Sequence, residues 1–102
     1  MKQIIVTVPT NGPHTVRLYF AEPDTKAQPG DRIFSVSLGK KEVLSNLDIV
    51  RETGAPRNVV VKEFSSVKID STLELSFITG KGKPLVCGVE IILEKEIAKP
   101  KP

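Results

Sequence analysis

The chain has a single histidine and a single cysteine, His14 and Cys87. A histidine works as a general base only when a positioned partner orients it and a transferable proton lies within hydrogen-bond reach. Neither a serine-containing nucleophile elbow nor a glycine-rich phosphate motif accompanies His14. Following the "TNGP" turn at a strand start, it reads as an exposed turn residue. Glu22 and Asp24 are two carboxylates on one loop, and paired carboxylates can hydrolyse glycosidic bonds. That chemistry demands a set gap across the substrate, which near-neighbours on a polar loop do not supply. "GKGKP", Gly80 to Pro84, lacks the strand-to-helix context that makes a phosphate loop work. One cysteine forms no internal disulfide, and with one histidine it assembles no zinc site. Cys87 therefore reads as a small buried apolar residue that resists thiol reagents. The expectation is a chain that is no enzyme and carries no cofactor or metal.

Recognition without catalysis is the chemistry left. Tyr19 lies in the outward phase of a strand, where its ring could stack on a sugar or pack beneath a loop. Polar groups able to hydrogen-bond a ligand crowd three loops, Glu22 to Asp31, Arg51 to Asn58 and Gly80 to Pro84.

The elements that must hold those loops are strands. Ile4, Val6 and Val8 alternate with Gln3, Ile5 and Thr7, the period of a half-buried strand. Asn11-Gly12 supplies hairpin-turn chemistry, so a hairpin to the next strand is expected, with Val16, Leu18 and Phe20 inward. Phe34, Val36 and Leu38 repeat the pattern before a Gly39-Lys40-Lys41 turn. "VVVKEFSSVKI" changes phase near Phe64 to Ser66, which predicts a bulge or two strand segments. Leu73, Leu75 and Phe77 define another inner row, and Val89, Ile91 and Leu93 the last. No window carries apolar residues at helical spacing over a helical length, and evenly spaced short strands with turns between them indicate an all-β antiparallel sandwich.

Bulk properties agree with one such domain. At 102 residues, 39% hydrophobic and 26% charged, the chain suits a single core. Its net charge of +3 comes from fifteen basic residues dispersed among twelve acids, with no arginine-rich run and no aromatic platform, so no nucleic acid is expected as partner. The N-terminal "MKQIIVTVPTNG" alternates and has no signal-peptide core, and no stretch approaches spanning length, so no membrane insertion is expected. A domain cut from a longer exported protein would look the same. The expected division is a sandwich over residues 1–95 and a Lys/Pro-rich tail or linker, "EIAKPKP", over 96–102.

The words "VRLYFAE" at Val16 to Glu22, "DIV" at Asp48 to Val50 and "PLVCGVEI" at Pro84 to Ile91 occur in an order and spacing that resemble the malectin domain, a carbohydrate-binding, jelly-roll-like (galactose-binding-like) β-sandwich. The resemblance runs from Val6 to Leu93 and corresponds to the later two-thirds of the family's full domain. It implies a non-catalytic carbohydrate-binding module, an accessory domain of a larger secreted or surface protein, extracellular or periplasmic, with a glycan or polysaccharide as ligand and adjacent domains as partners. The site it implies draws on Tyr19, Glu22, Asp24, Thr25 and Lys83, with the Glu22–Asp31 loop as rim. Two departures matter. Where sugar-binding animal members offer a tyrosine and a phenylalanine after "FAE", this chain has Pro23, Asp24 and Thr25, and where they place an acid it has Gly82 and Lys83. The alternative is a structural or protein-interaction sandwich that has lost sugar binding. Because N-terminal strands of the full domain are missing from the resemblance, "KQIIVTV", guarded by Lys2 alone, is expected to be an exposed edge that favours a homodimer.

Overall fold

A computed structural model describes residues 2–94, and the expected tail from residue 96 lies outside the described residues. In chain order the elements are β1 (Lys2–Thr7), β2 (Gly12–Phe20), β3 (Ile33–Leu38), β4 (Lys41–Leu47), α1 (Ile49–Thr53), β5 (Val60–Ile69), β6 (Thr72–Lys81) and β7 (Gly88–Leu93). They form two antiparallel sheets, one ordered β1-β6-β3-β4 and the other β5-β2-β7.

Alternation along the strands makes the core. Val16, Leu18 and Phe20 from β2 are fully buried, as are Phe34 and Val36 from β3 and Leu75 from β6, with Leu73 and Phe77 nearly so. Rings join the layers where Phe20 lies 5.8 Å from Phe34, and Phe34 lies 6.4 Å from Phe77 within its own sheet, centroid to centroid, in tilted arrangements that aromatic quadrupoles favour. The expected phase change in β5 is a bulge: Val16 pairs with Phe64 but His14 pairs with Val67, and Ser66 takes a positive φ of 57°.

Four expectations are corrected. The Asn11-Gly12 reversal does not make a hairpin. β1 pairs with β6, from Lys2 opposite Phe77 to Thr7 opposite Thr72, while β2 crosses to the other sheet between β5 and β7. The turn is tied instead to the β5–β6 connection, because Asn11 Oδ1 accepts from the Ser71 amide at 3.0 Å and the Val8 amide donates to the Ser71 carbonyl at 2.7 Å.

His14 is 1% exposed rather than a surface turn residue. Its Nδ1 donates to the Gly12 carbonyl at 2.8 Å, which leaves Nε2 to accept from the Thr10 hydroxyl at 2.8 Å. Both ring nitrogens are thereby spent on holding the turn.

Cys87 is exposed, because it precedes an edge strand and lies outside the core. Val89 keeps the inner phase opposite Leu18 yet is 37% exposed, and Ile91 and Leu93 are only half-buried, since β7 has a neighbour on one side alone.

One short helix, of five residues, overlaps the start of the loop expected over Arg51 to Asn58. Asp48 is its N-cap, accepting from the Arg51 amide at 3.2 Å, and Gly54 closes it with φ 88°, its amide donating a hydrogen bond to the Val50 carbonyl at 2.8 Å.

Candidate functional site: three loops at one end

Three connections meet at the end of the sandwich where β2 stops: the β2–β3 loop, the segment from Asp48 to Val59 around α1, and the β6–β7 loop. Their attachment starts from Glu22. The inward phase of β2, residues 14, 16, 18 and 20, continues to Glu22, which is 1% exposed. A carboxylate so buried needs charge and hydrogen bonds to offset its desolvation. Arg32, at the far end of the same loop, supplies them through Nε to Oε1 at 2.6 Å and Nη2 to Oε2 at 3.0 Å. The Asp24 amide adds a bond to Oε2 at 3.1 Å. These donors hold the Glu22 carboxyl below its ordinary range, Arg32 being the largest cause, while burial alone would raise it.

From that pair the other loops are gathered. Arg32 Nη1 donates to the Lys83 carbonyl at 2.7 Å, and the Arg57 amide donates to the Glu22 carbonyl at 2.8 Å. A second buried acid repeats the device: Asp48, besides capping α1, accepts from the Gly30 amide at 2.7 Å. Cys87 closes the arrangement, its amide donating to the Tyr19 carbonyl at 2.8 Å. Such fixed loops present groups with little ordering left to do on binding.

The side chains that remain free at this end are polar and mixed in charge. Asp24, Thr25, Lys26, Gln28, Arg57 and Lys83 are exposed. Asp24 Oδ1 accepts from the Lys26 amide at 2.9 Å, which shapes the loop tip. Beside α1 a hollow of about 250 Å³ is lined by Asn46, Asp48, Arg51, Glu52 and Lys62, and Lys62 pairs with Glu52 across it.

Of the five residues singled out from the sequence, Glu22, Asp24, Thr25 and Lys83 belong to these joined loops. Glu22 faces inward with both oxygens engaged, so its role there is to hold the rim. Tyr19 stands apart, on the outer face of the β5-β2-β7 sheet. Its hydroxyl donates to Glu90 Oε1 at 2.8 Å, its ring side lies over Gly88, and it shares Glu90 with Arg17, which also pairs with Glu63. That row, Glu63–Arg17–Glu90, is in register across the three strands. The bond to Glu90 pushes the Tyr19 phenol up and the Glu90 carboxyl down.

Sequence reading missed Arg32, Asp48 and the Arg57 amide. Asp48 carried a usable signal, an aspartate directly before an apolar pair and Arg-Glu, the mark of an N-cap. Among the described residues no cluster of His, Cys, Asp or Glu could hold a metal ion.

The model of the Malectin domain family matches residues 3–93. The chain belongs to the malectin domain family. No curated protein matches its sequence. Among solved structures, this malectin domain is similar to the plant receptor-like kinase FER, at 19% identity and a TM-score of 0.75, over 87% of this chain and 27% of that one. The plant receptor-like kinase ANX2 is similar at 18% identity and a TM-score of 0.63, over 88% of this chain and 24% of that one. A Bacteroides uniformis β-glucuronidase 2, whose structure is covalently bound to cyclophellitol-6-carboxylate aziridine, is similar at 17% identity and a TM-score of 0.72, over 88% of this chain and 10% of that one. At these identities the likeness is one of fold. The malectin domain spans only a tenth to about a quarter of those chains. Among the described residues no helix is long and apolar enough to cross a membrane.

Proposed function

We propose that this malectin domain is a non-catalytic carbohydrate-binding module, an appendage of a larger secreted or surface protein, that takes a glycan at its loop end. The observation that supports this most is the convergence of three polar loops on one end of the sandwich, tied by Glu22–Arg32–Lys83 and by Asp48–Gly30, in a chain of this family. Asp24, Thr25 and Lys83 are the exposed groups offered to sugar hydroxyls, and Glu22 serves by positioning them. Binding is weak, because among the described residues no aromatic ring is exposed at the loop end to offset the lost freedom of the ligand. Phe20, Phe34 and Phe77 are spent in the core, and Tyr19 is held on the neighbouring face by Glu90.

That same distribution of rings favours the second reading, a protein-interaction sandwich without sugar binding. Titration with an oligosaccharide panel separates the two. Under the first reading Asp24→Ala, Thr25→Ala and Lys83→Ala each weaken binding about threefold to tenfold, the size of one or two hydrogen bonds. Undiminished binding in all three variants would place the sugar elsewhere, and no binding to any glycan would leave the protein-interaction reading.

A further inference from the structure

The sandwich has two open sides, and its edge strands differ between them. On one side β4 and β5 flank a groove. The β3–β4 ladder shifts register between Phe34 and Val36 and again between Val36 and Ser37, and β5 carries the bulge at Ser65 and Ser66. Both strands are also charged, by Lys41 and Glu42 on β4 and by Lys62, Glu63 and Lys68 on β5. Bulges and charges are the means by which edges refuse another strand.

Among the described residues the β1 and β7 side has no such protection. Their ladders run unbroken, from Lys2 opposite Phe77 to Thr7 opposite Thr72 and from His14 opposite Leu93 to Tyr19 opposite Gly88. β1 has one charge, Lys2 at its start, and β7 one, Glu90, whose carboxylate already accepts from Arg17 and Tyr19. Between the strands the core is uncovered in two hollows. One, of about 260 Å³, is lined by Ile4, Phe77, Leu85 and Val86 with Lys2 at its margin, and the other, of about 320 Å³, by Val6, Val8, Val89 and Ile91 together with polar residues of the Thr10–His14 turn.

We propose that this side is a homodimer interface, in which β1 pairs antiparallel with β1 of a second copy about a two-fold axis at Ile5. The backbone sets the register. Because the Val8 amide donates to Ser71 on the β6 side, even-numbered residues turn their amides inward along the ladder. By antiparallel alternation Gln3, Ile5 and Thr7 turn theirs to the free edge. Centred on Ile5, the new ladder sets Ile5 against its symmetry mate, Gln3 against Thr7 and Ile4 against Val6. Outward-turned residues then meet as hydrogen-bonded pairs, and the inner row of one copy continues into the inner row of the other. A slip of one residue would set inner against outer side chains, and a slip of two would leave two of the three hydrogen-bonded pairs that residues 3, 5 and 7 form in this register.

Self-complementarity selects a second copy as the occupant. The centre of β1 is apolar on both faces, Ile5 is 63% exposed, and Lys2 lies opposite Val8 rather than a like charge. An axis normal to the sheets also turns β7 toward its mate, so the hollows of the two copies close on each other.

The test is sedimentation velocity of the 102-residue chain over a concentration series, with three variants. Ile5→Pro removes an amide that β6 does not use and blocks the edge. Ile5→Lys places like charges across the axis, while Glu74, its neighbour on β6, keeps the substitution compatible with the fold. Val61→Lys changes an exposed apolar residue on the guarded side. The wild type and Val61→Lys should dimerise with equal affinity, and both Ile5 variants should weaken dimerisation about a hundredfold with unchanged circular dichroism. A wild type that stays monomeric throughout, or a dimer that survives Ile5→Pro, overturns the proposal, as does loss of the dimer in Val61→Lys.

Discussion

Glu22 and Arg32 close the β2–β3 loop on itself, meeting through Nε to Oε1 at 2.6 Å and Nη2 to Oε2 at 3.0 Å with the carboxylate almost fully buried. Removing one partner leaves the other desolvated and unpaired. Glu22→Gln should therefore cost about 2–3 kcal/mol in urea unfolding, somewhat below a wholly buried pair because Arg32 keeps some solvent contact. An unchanged midpoint would show that the pair does not hold the loop.

The same pair predicts an acid limb. The Glu22 carboxyl lies below its ordinary 4.5 in the folded chain and returns to it on unfolding, so the unfolded state binds the extra proton between the two values. The contribution is complete above pH 4.5 and is lost as pH falls through the folded value. Stability of the wild type should fall more steeply below that point than stability of Glu22→Gln. Parallel acid limbs would contradict the assignment.

Gly82 joins two of the loops by close approach. It has φ 73°, and a Cβ there would stand 2.8 Å from the Asp31 carbonyl oxygen, next to Arg32. Both the left-handed conformation and backbone contact exclude a side chain. Gly82→Ala should cost about 2 kcal/mol and shift the amide resonances of Asp31 and Arg32. Neutral stability with unmoved resonances would mean the loops are not in contact there.

Core and edge positions of equal inner phase should respond differently. Leu75→Ala, in the centre of a sheet and fully buried, should cost about 3–5 kcal/mol, whereas Val89→Ala on the edge should cost less than about 1 kcal/mol. Equal costs in thermal unfolding would show that β7 is better covered than it stands here.

These positions show how much of the fold the sequence carried. Alternation places Val16, Leu18, Phe20, Phe34, Leu75 and Phe77 in the core because a strand between two neighbours buries whichever face its period makes apolar. Alternation says nothing of how many neighbours a strand has, so Val89 kept its phase and lost its burial. Turn chemistry at Asn11-Gly12 marks a reversal, while the choice of β6 rather than β2 as partner for β1 rests on contacts about seventy residues away. The loops were recognisable as polar, and their convergence was not, since it depends on Glu22, Arg32 and Asp48 meeting groups far along the chain. Glu22 and His14 both shared the inward phase of β2, a signal outweighed by their polarity.

The measurement that tests the account most directly is a two-dimensional NMR titration of the labelled domain with an oligosaccharide panel. If the loop end is the binding surface, at least one glycan should shift amides within Asp24–Asp31, Arg51–Asn58 and Gly82–Lys83 while those of β1, β6 and the Glu63–Arg17–Glu90 face stay in place. Shifts confined to that sheet face or to the β1 edge, or no shift with any glycan, would contradict it.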